Sequence, residues 1–456
     1  MIAVSGFRIG VKSMTTILGA PGGELRRSLT FANLVTFGLV SMGPVAAFTM
    51  FGFVHSVSGG AIILSSLLGA AGLTLTALSF AQMASVAPQA GSVYGYAKFA
   101  IGGTLGFLGG WALLLDYLLL GSLTAVYGAL YLAGALPWLG EGVILWVLLG
   151  LLLVTGVTGV TLSSKLDIAV MLLQLGFALV FSVLAIVLVR NLGQPALADV
   201  PLGLGDSSMA EVLGGASLAV ISFLGFDAIS TLAEEVKGDR AGHAIGRATI
   251  LCVMAMLGVF LVVSWLLAAI SGGIEIVDPA TAAFEIMAAR LPALATPLAV
   301  ICGLAVGIGS CQACHTGSTR LIFAMARDGR LPSGLARISP AFHSPLAAVF
   351  VTLGIIAAGA MVALDHVDVL AGLISFGALT GFVLVNLSVL VHFGLRQGSR
   401  NWLRHWLLPM LGIAVLVYIM SGINPLALEV GAGWLVVGVA IHMIGGVFRK
   451  KHAAKI

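Results

Sequence analysis

The chain has 456 residues, of which 59% are hydrophobic and 9% are charged, and its mean hydropathy is +1.12. Soluble domains carry roughly 25% charged residues, so this composition excludes a soluble protein and indicates an integral membrane protein. The formal net charge is +4. Because the basic residues cluster in one set of loops, they indicate a topology signal and not a nucleic-acid surface.

Apolar stretches recur along the whole chain, and twelve of them reach the roughly 20 residues that a helix needs to cross a bilayer. The polar arm before the first stretch is too long and too interrupted for a cleaved signal peptide. The sequence therefore predicts an all-α membrane protein with twelve transmembrane helices. Their predicted bounds are 31–56, 59–85, 98–135, 141–161, 166–190, 209–234, 243–271, 296–326, 344–363, 367–394, 403–421 and 427–449.

The distribution of charge along the loops predicts the orientation of these helices. When the N-terminus is placed in the cytoplasm, only Arg190 and Arg290 of the 22 Lys and Arg residues fall on the outer side. The outer loops hold mostly acidic residues, among them Glu141 and Glu285. Because positive charge is retained on the cytoplasmic side, we expect both termini in the cytoplasm and the protein in the inner (plasma) membrane.

Two sets of five spans predict an inverted repeat. An odd number of spans gives the second set the opposite orientation, as an inverted repeat requires. We expect a five-plus-five inverted repeat with a first repeat at 31–190, a second at 209–394, two further helices at 403–449, a cytoplasmic arm at 1–30 and a tail at 450–456.

The first span is interrupted at Ser41-Met42-Gly43-Pro44. Pro44 has no backbone N–H and obstructs helical pairing with the preceding turn. A broken helix is tolerated in hydrocarbon only where its backbone lines a cavity. The freed carbonyl groups and the Ser41 hydroxyl are therefore candidate ligands for a cation or an ammonium group. An ordinary proline kink is the alternative.

The sixth span is interrupted at a matching place, within Ser222-Phe223-Leu224-Gly225-Phe226-Asp227. Gly225 gives the backbone freedom to turn. Phe223 and Phe226 offer aromatic surface that we expect to close over a solute. An ionisable group inside a span, here Asp227, is a functional hypothesis by default, although Asp is also a favoured cap for the helix that follows.

Interrupted helices at corresponding positions of two repeats indicate a transporter binding site. The third span adds Asp116 and Tyr117 to that site. Asp116 is an acid near the middle of the span, and no basic residue is near it in the sequence to neutralise it. Asp116 would pair with a substrate ammonium or carry a proton; a protonated, hydrogen-bonded carboxyl is the alternative. The predicted substrate-binding residues are Ser41, Met42, Gly43, Pro44, Asp116, Tyr117, Ser222, Phe223, Gly225, Phe226 and Asp227.

Proton coupling is predicted for three residues: Asp116, His315 and Glu234. Histidine titrates near physiological pH, so His315 of the eighth span is a candidate for a proton path, with a satisfied buried histidine as the alternative. Glu234 ends the sixth span and would form an inner gate, unless it is simply a solvated helix end.

No residue pattern indicates covalent chemistry. Cys311 and Cys314 have the spacing of a redox or metal motif, but no second Cys or His pair stands nearby to complete a tetrahedral site. We therefore expect packing roles for them, no metal, no cofactor and no enzymatic activity. The expected partners are a small-molecule substrate, a proton and the lipid bilayer, with no nucleic acid.

Several motifs resemble those of the amino acid–polyamine–organocation superfamily, and the resemblance covers nearly the whole chain. It implies a permease with a LeuT-like fold, in which the first and sixth helices are broken. The motifs are Pro88-Gln89-Ala90-Gly91-Ser92-Val93-Tyr94-Gly95-Tyr96 before the third span, Gly225-Phe226-Asp227-Ala228 in the sixth, and Arg327-Asp328-Gly329-Arg330-Leu331-Pro332 after the eighth.

Within that superfamily the chain resembles the bacterial putrescine importers. Pro44 and His315 also fall where those importers have Pro and His. The resemblance implies import of a small organic cation, putrescine or another polyamine, by proton-coupled alternating access. Four stretches carry it: Gly110-Trp111 to Leu115-Asp116-Tyr117-Leu118, Ser222 to Asp227, Phe376-Gly377-Ala378-Leu379 with Val385-Asn386-Leu387-Ser388-Val389, and Leu408-Pro409-Met410.

An amino acid permease of the same superfamily, for cationic or neutral amino acids, is the alternative. Such permeases resemble one another in a first-span break whose N–H groups hold the substrate carboxylate, and Pro44 removes one of those donors. Gln174 stands where some relatives have a Lys that replaces a sodium ion. Proton coupling is therefore favoured over sodium coupling.

Overall fold

The computed structural model describes residues 29–87, 91–158, 164–191, 200, 202–238, 240–339, 342, 344–363 and 367–453, without the side chains of 164–167, 234, 235, 368 and 444–453. The regular secondary structure in this part of the chain is helical, apart from one isolated β-bridge between Leu29 and Val236. The α-helices are Phe31–Met42 (α1), Ala46–Thr49 (α2), Phe51–Val57 (α3), Ile62–Val86 (α4), Ser92–Ala100 (α5), Gly103–Ala135 (α6), Glu141–Thr158 (α7), Ser164–Asn191 (α8), Met209–Ala219 (α9), Ala241–Ser271 (α10), Ala282–Arg290 (α11), Pro292–Leu304 (α12), Cys311–Arg327 (α13), Leu346–Ala363 (α14), Val367–Val389 (α15), Leu408–Met420 (α16) and Pro425–Ala453 (α17).

Tighter and wider helical turns extend several of these helices. The 3-10 turns are Val220–Phe223, Asp227–Glu235 and Ser333–Ala336, and the π turns are Ala305–Ser310, Leu390–Arg396 and Leu403–Leu407. Joined in this way, the described residues contain twelve helical segments long and apolar enough to cross a membrane. This confirms the predicted all-α membrane protein with twelve spans.

The core of the molecule lies around α6, the third span, and α9, the first part of the sixth, which are the most buried of the spans. Helices α12 to α15 pack against α6. The spans formed by α7, α16 and α17 are the least buried. Their exposed side chains are large and apolar, for example Trp146, Met410 and Val436, as expected for surfaces that contact lipid.

The third span begins later than its hydrophobicity indicates. The sequence predicts a start at residue 98, but Ser92–Ala100 forms a separate helix and α6 starts at Gly103. Gly102 between them has φ +141°, a conformation that only glycine adopts readily. The apolar run is therefore continuous in sequence while the helix is not.

Candidate functional site

The two predicted breaks are present and touch each other. α1 ends at Met42, and the sixth span changes from α-helix to a 3-10 turn before the chain bends at Leu224, Gly225 and Phe226. Gly225 has φ +107°, and a Cβ built on it would lie 2.8 Å from the carbonyl carbon and oxygen of Ser41. Glycine is therefore required for this approach of the two backbones.

Gln174 of α8 hydrogen-bonds to the first break. Pro44 has no N–H for the carbonyl of Val40, and the amide of Val45 donates to Gln174 Oε1 at 3.4 Å instead of to Ser41. The carbonyls of Val40 and Ser41 thus receive no backbone hydrogen bond from the next turn. Oxygen atoms freed in this way are ligands for a cation in broken-helix transporters.

A small cavity lies between the breaks and the third span. Its volume is about 40 Å³, which is room for about three water molecules and far below the roughly 300 Å³ of the smaller ligand pockets. The cavity is therefore too small in this conformation to hold a transported solute. Its walls are Ser41, Met42, Ala46, Thr49, Met50, Leu120, Leu123, Thr124, Tyr127, Ile221, Leu224, Val306 and Ser310.

Two buried carboxyl groups lie just beyond this cavity. Asp116 and Asp227 are each 1% exposed. The Tyr117 hydroxyl donates a hydrogen bond to Asp227 Oδ2, whereas Asp227 Oδ1 and both oxygens of Asp116 have no hydrogen-bond partner among the described residues. No Lys, Arg or His in the same part of the chain forms an ion pair with either carboxyl group. Carboxyl groups buried in this way require a proton or another cation.

Helical spacing places these carboxyl groups relative to the cavity. Asp116 is four residues before Leu120, a cavity wall residue, and therefore one turn away on the same side of α6. Asp227 follows Leu224, another wall residue, by three positions. Both acids lie toward the predicted cytoplasmic side of the cavity. Asp116 packs against Gly377 of α15: a Cβ added to Gly377 would lie 3.3 Å from the Cβ of Asp116.

Phe223 and Phe226 are placed away from the cavity. Both are fully buried. The Phe223 ring packs against Phe260 at a centroid distance of 5.6 Å, and the Phe226 ring contacts Phe80 at 5.4 Å and Phe382 at 5.2 Å. The structure thus does not bring these rings over the site, because they fill the core behind the break.

The contacts of His315 do not include Asp116 or Asp227. Its Nε2 lies 3.3 Å from the carbonyl oxygen of Val349, and its ring packs against Gly156, where a Cβ would meet Cε1 at 2.5 Å. These contacts fit a histidine satisfied between helices. The side chain of Glu234 lies outside the described residues.

Cys311 and Cys314 are buried free thiols. Cys311 Sγ donates to the carbonyl of Gly121 at 3.3 Å. The described residues include no group of three or more Cys, His, Asp or Glu able to hold a metal ion.

Thr124 and Tyr127 belong to the cavity wall although the sequence did not single them out. Tyr127 is 2% exposed, and its hydroxyl has no hydrogen-bond partner among the described residues. The positions 116, 120, 124 and 127 follow the spacing of one helix face. That periodicity, extended outward from Asp116, would have found both residues.

The structure is that of a membrane protein with two interrupted helices in contact at its centre. Comparisons with known proteins show its family. The family model described as "Amino acid permease" matches residues 31–447. The chain belongs to this amino acid permease family, whose members and relatives are transporters.

Individual relatives are named for different substrates. The chain is 28% identical to the low-affinity putrescine importer PlaP of Escherichia coli (strain K12), over 91% of this chain and 93% of that protein. It is 26% identical to the methylthioribose transporter of Bacillus subtilis (strain 168), over 94% and 95%. It is 27% identical to the branched-chain amino acid permease BcaP of the same organism, over 97% of each chain.

Proposed function

We propose that this protein is a secondary active transporter that imports a small organic cation, putrescine or another polyamine, by proton-coupled alternating access. It would lie in the inner (plasma) membrane with both termini in the cytoplasm. The two sets of five spans would form an inverted repeat, 31–190 and 209–394, in a LeuT-like fold. One bundle would rock against the rest around the site between the breaks.

The buried carboxyl pair is the observation that carries this proposal. Asp116 and Asp227 lie in a part of the molecule where the described residues offer them no cationic partner. An intramembrane acid that nothing neutralises marks an ion or substrate path. A protonated diamine and a coupling proton would each supply the missing positive charge.

We assign the substrate ammonium groups to the oxygen atoms at the first break and to Asp227. The carbonyls of Val40 and Ser41 have no backbone donor, and Tyr117 already orients the Asp227 carboxyl group. Asp116, which has no hydrogen-bond partner among the described residues, is assigned the coupling proton. His315, which contacts Val349, is not needed for this step.

An amino acid permease remains the second candidate, and one observation favours it. Every residue that lines the small cavity between the breaks and the third span is uncharged. Such a lining suits a neutral solute as well as it suits the apolar stem of a diamine. A relative of this chain is named a branched-chain amino acid permease. Pro44 argues against this candidate, since it removes an amide donor that a substrate carboxylate would use.

Uptake into proteoliposomes tests the proposal. We expect labelled putrescine to accumulate under an inward proton gradient, to accumulate slowly without it, and to resist competition by excess leucine or arginine. Failure to transport putrescine, together with binding of leucine or arginine, would transfer the assignment to the amino acid permease.

The Asp116→Asn variant tests the assigned proton carrier. The change keeps the size of the side chain but removes the exchangeable carboxyl proton, so we expect uptake to lose its dependence on the gradient. Asp206→Asn is the matched control, because Asp206 is exposed in a loop away from the cavity. Full gradient-driven uptake by Asp116→Asn would contradict the assignment.

A further inference from the structure

A second, larger pocket lies at the outer end of the third span. Its volume is about 660 Å³, within the roughly 300–1,000 Å³ range of small-molecule sites. The end of α6, the start of α7 and the loop around α11 form its walls. We call it the outer vestibule, and its lining is Leu130, Tyr131, Ala133, Gly134, Pro137, Leu139, Gly140, Glu141, Thr281, Phe284 and Glu285.

The charged groups in this lining are both acidic. Glu141 is exposed at the first turn of α7, and Glu285 lies on α11. The lining contains no Lys, Arg or His. Arg290, on the same helix as Glu285, donates to the carbonyls of Ile270 and Gly272 at 3.3 and 2.5 Å. Arg290 therefore directs its guanidinium group to those carbonyl groups, and it forms no ion pair with Glu285 in the described part of the chain.

Glu285 is held as a carboxylate. Its Oε1 accepts from the Thr281 hydroxyl at 2.7 Å and from the Asp278 amide at 3.2 Å, and its Oε2 accepts from the Val277 amide at 2.8 Å. Partial burial raises the pKa of Glu285, but these hydrogen bonds outweigh burial and leave the pKa below its ordinary value. The donors are neutral, so the negative charge remains uncompensated at neutral pH.

Tyr131 provides the second, independent observation. It lines the vestibule, is 2% exposed, and its hydroxyl has no hydrogen-bond partner among the described residues. Phe284 lies opposite, with its ring 3.3 Å from where a Cβ on Gly134 would be. Aromatic faces beside carboxylates suit an organic ammonium ion, which gains cation–π as well as ionic contacts.

The vestibule is aligned with the central cavity. Tyr131 and Tyr127 are four residues apart on α6, so they lie on one face and about 6 Å apart along the helix axis. Tyr127 lines the central cavity and Tyr131 the vestibule, and both hydroxyls are buried without a described partner. The vestibule and the central cavity are therefore next to each other along one face of α6.

We propose that the outer vestibule is a distinct binding site for organic ammonium ions, formed by Glu141, Glu285 and Tyr131, where the solute is held before it enters the central cavity. The role in import rests on the proposed function. Binding of an ammonium ion in the vestibule does not, and it can be measured without transport.

Cysteine labelling tests the site directly. Gly140 lines the vestibule, and a Cβ there would meet nothing within 4 Å, so Gly140→Cys should fold. The four native cysteines are buried, which makes the unsubstituted protein the blank. The probes are a cationic reagent, trimethylammonium-ethyl methanethiosulfonate, and an anionic one, sulfonatoethyl methanethiosulfonate.

We expect the cationic reagent to label Gly140→Cys with a rate that saturates. The ratio of cationic to anionic labelling rates should exceed the ratio measured with a small free thiol by about tenfold through local enrichment. Glu141→Gln should reduce this preference, whereas Glu429→Gln, on the exposed side of α17, should not. Tyr131→Phe should raise the concentration of tetramethylammonium needed to slow labelling, with sodium chloride as the ionic-strength control.

Equal labelling by both reagents, or no slowing by tetramethylammonium beyond the sodium chloride effect, would overturn the vestibule proposal even if putrescine were transported. Saturable, charge-selective labelling without any putrescine uptake would leave the vestibule in place and count against the proposed function. The two failures are therefore distinguishable.

Discussion

Gln174 shows at the scale of one residue how the first break is stabilised. The side-chain oxygen of Gln174 accepts a hydrogen bond from the Val45 amide. A break that lacks helical hydrogen bonds needs such a partner, because an unpaired buried amide costs about 1–3 kcal/mol. Gln174 is therefore a positioning residue for the break.

Gln174→Leu should weaken solute binding. The change removes the acceptor of the Val45 amide at nearly constant volume, and a loss of about 2 kcal/mol corresponds to about a thirtyfold rise in the Kd or KM of the transported solute. Gln174→Glu retains an acceptor oxygen and should lose less. Binding and uptake by both variants check this, and equal KM values for Gln174→Leu and the parent protein would show that the bond is dispensable.

At the scale of the helical element, the contact between the two breaks depends on Gly225. Its φ of +107° and its 2.8 Å approach to Ser41 leave no space for a side chain. A Cβ would have to displace the backbone of the first span. The two interrupted spans thus act as one structural unit at the centre of the molecule.

Gly225→Ala should therefore abolish uptake. The positive φ alone costs an L-residue roughly 1–2 kcal/mol, and the clash with the Ser41 carbonyl adds to it. Gly258→Ala is the control, because Gly258 lies within α10 and a Cβ there meets nothing within 4 Å; alanine there should be neutral or slightly stabilising. Thermal unfolding in detergent and uptake in proteoliposomes separate loss of folding from loss of transport. Normal uptake by Gly225→Ala would mean that the breaks separate more easily than their contact indicates.

These elements also show what could be predicted from the sequence. Hydrophobicity predicted twelve spans, and the Gly and Pro residues predicted both breaks, because these signals are local. The packing of Phe223 and Phe226 behind the break could not be predicted, since an apolar ring fits a core and a binding site equally well. The hydrogen bond from the Val45 amide to Gln174 depends on tertiary packing between α8 and the first break, which one sequence does not specify.

At the scale of the whole molecule, the predicted cytoplasmic end is closed by contacts between distant parts of the chain. Lys98 of α5 and Asp328 after α13 form an ion pair at 2.5 Å, and the Tyr94 hydroxyl donates to the same carboxylate. The amide of Lys237 donates to the carbonyl of Leu29 at 3.0 Å. The outer end, in contrast, contains the vestibule.

The Asp328 carboxylate stays charged throughout the physiological range. Partial burial raises its pKa, but hydrogen bonds from Lys98 and Tyr94 and the nearby positive charges lower the pKa more, so that it lies below the ordinary value. A group with a depressed pKa contributes stability above its unfolded-state pKa and loses it as the pH falls through the folded-state value. We therefore expect the ion pair to be insensitive to pH near neutrality and to weaken only in acid.

Reversing this ion pair tests whether it controls opening toward the predicted cytoplasmic side. The Lys98 and Asp328 side chains are 45% and 28% exposed, and ion pairs of that exposure contribute only about 0.2–1 kcal/mol, so folding should survive either substitution. The helix before the third span and the loop after the eighth must nevertheless separate if the solute leaves between them.

Lys98→Glu or Asp328→Lys alone should favour the opened end and change the uptake rate severalfold, while the double variant Lys98→Glu/Asp328→Lys should return toward the parent rate. A double-mutant cycle on uptake rates measures the coupling. Additive effects of the two single changes would show that the pair is a surface contact with no part in the transport cycle.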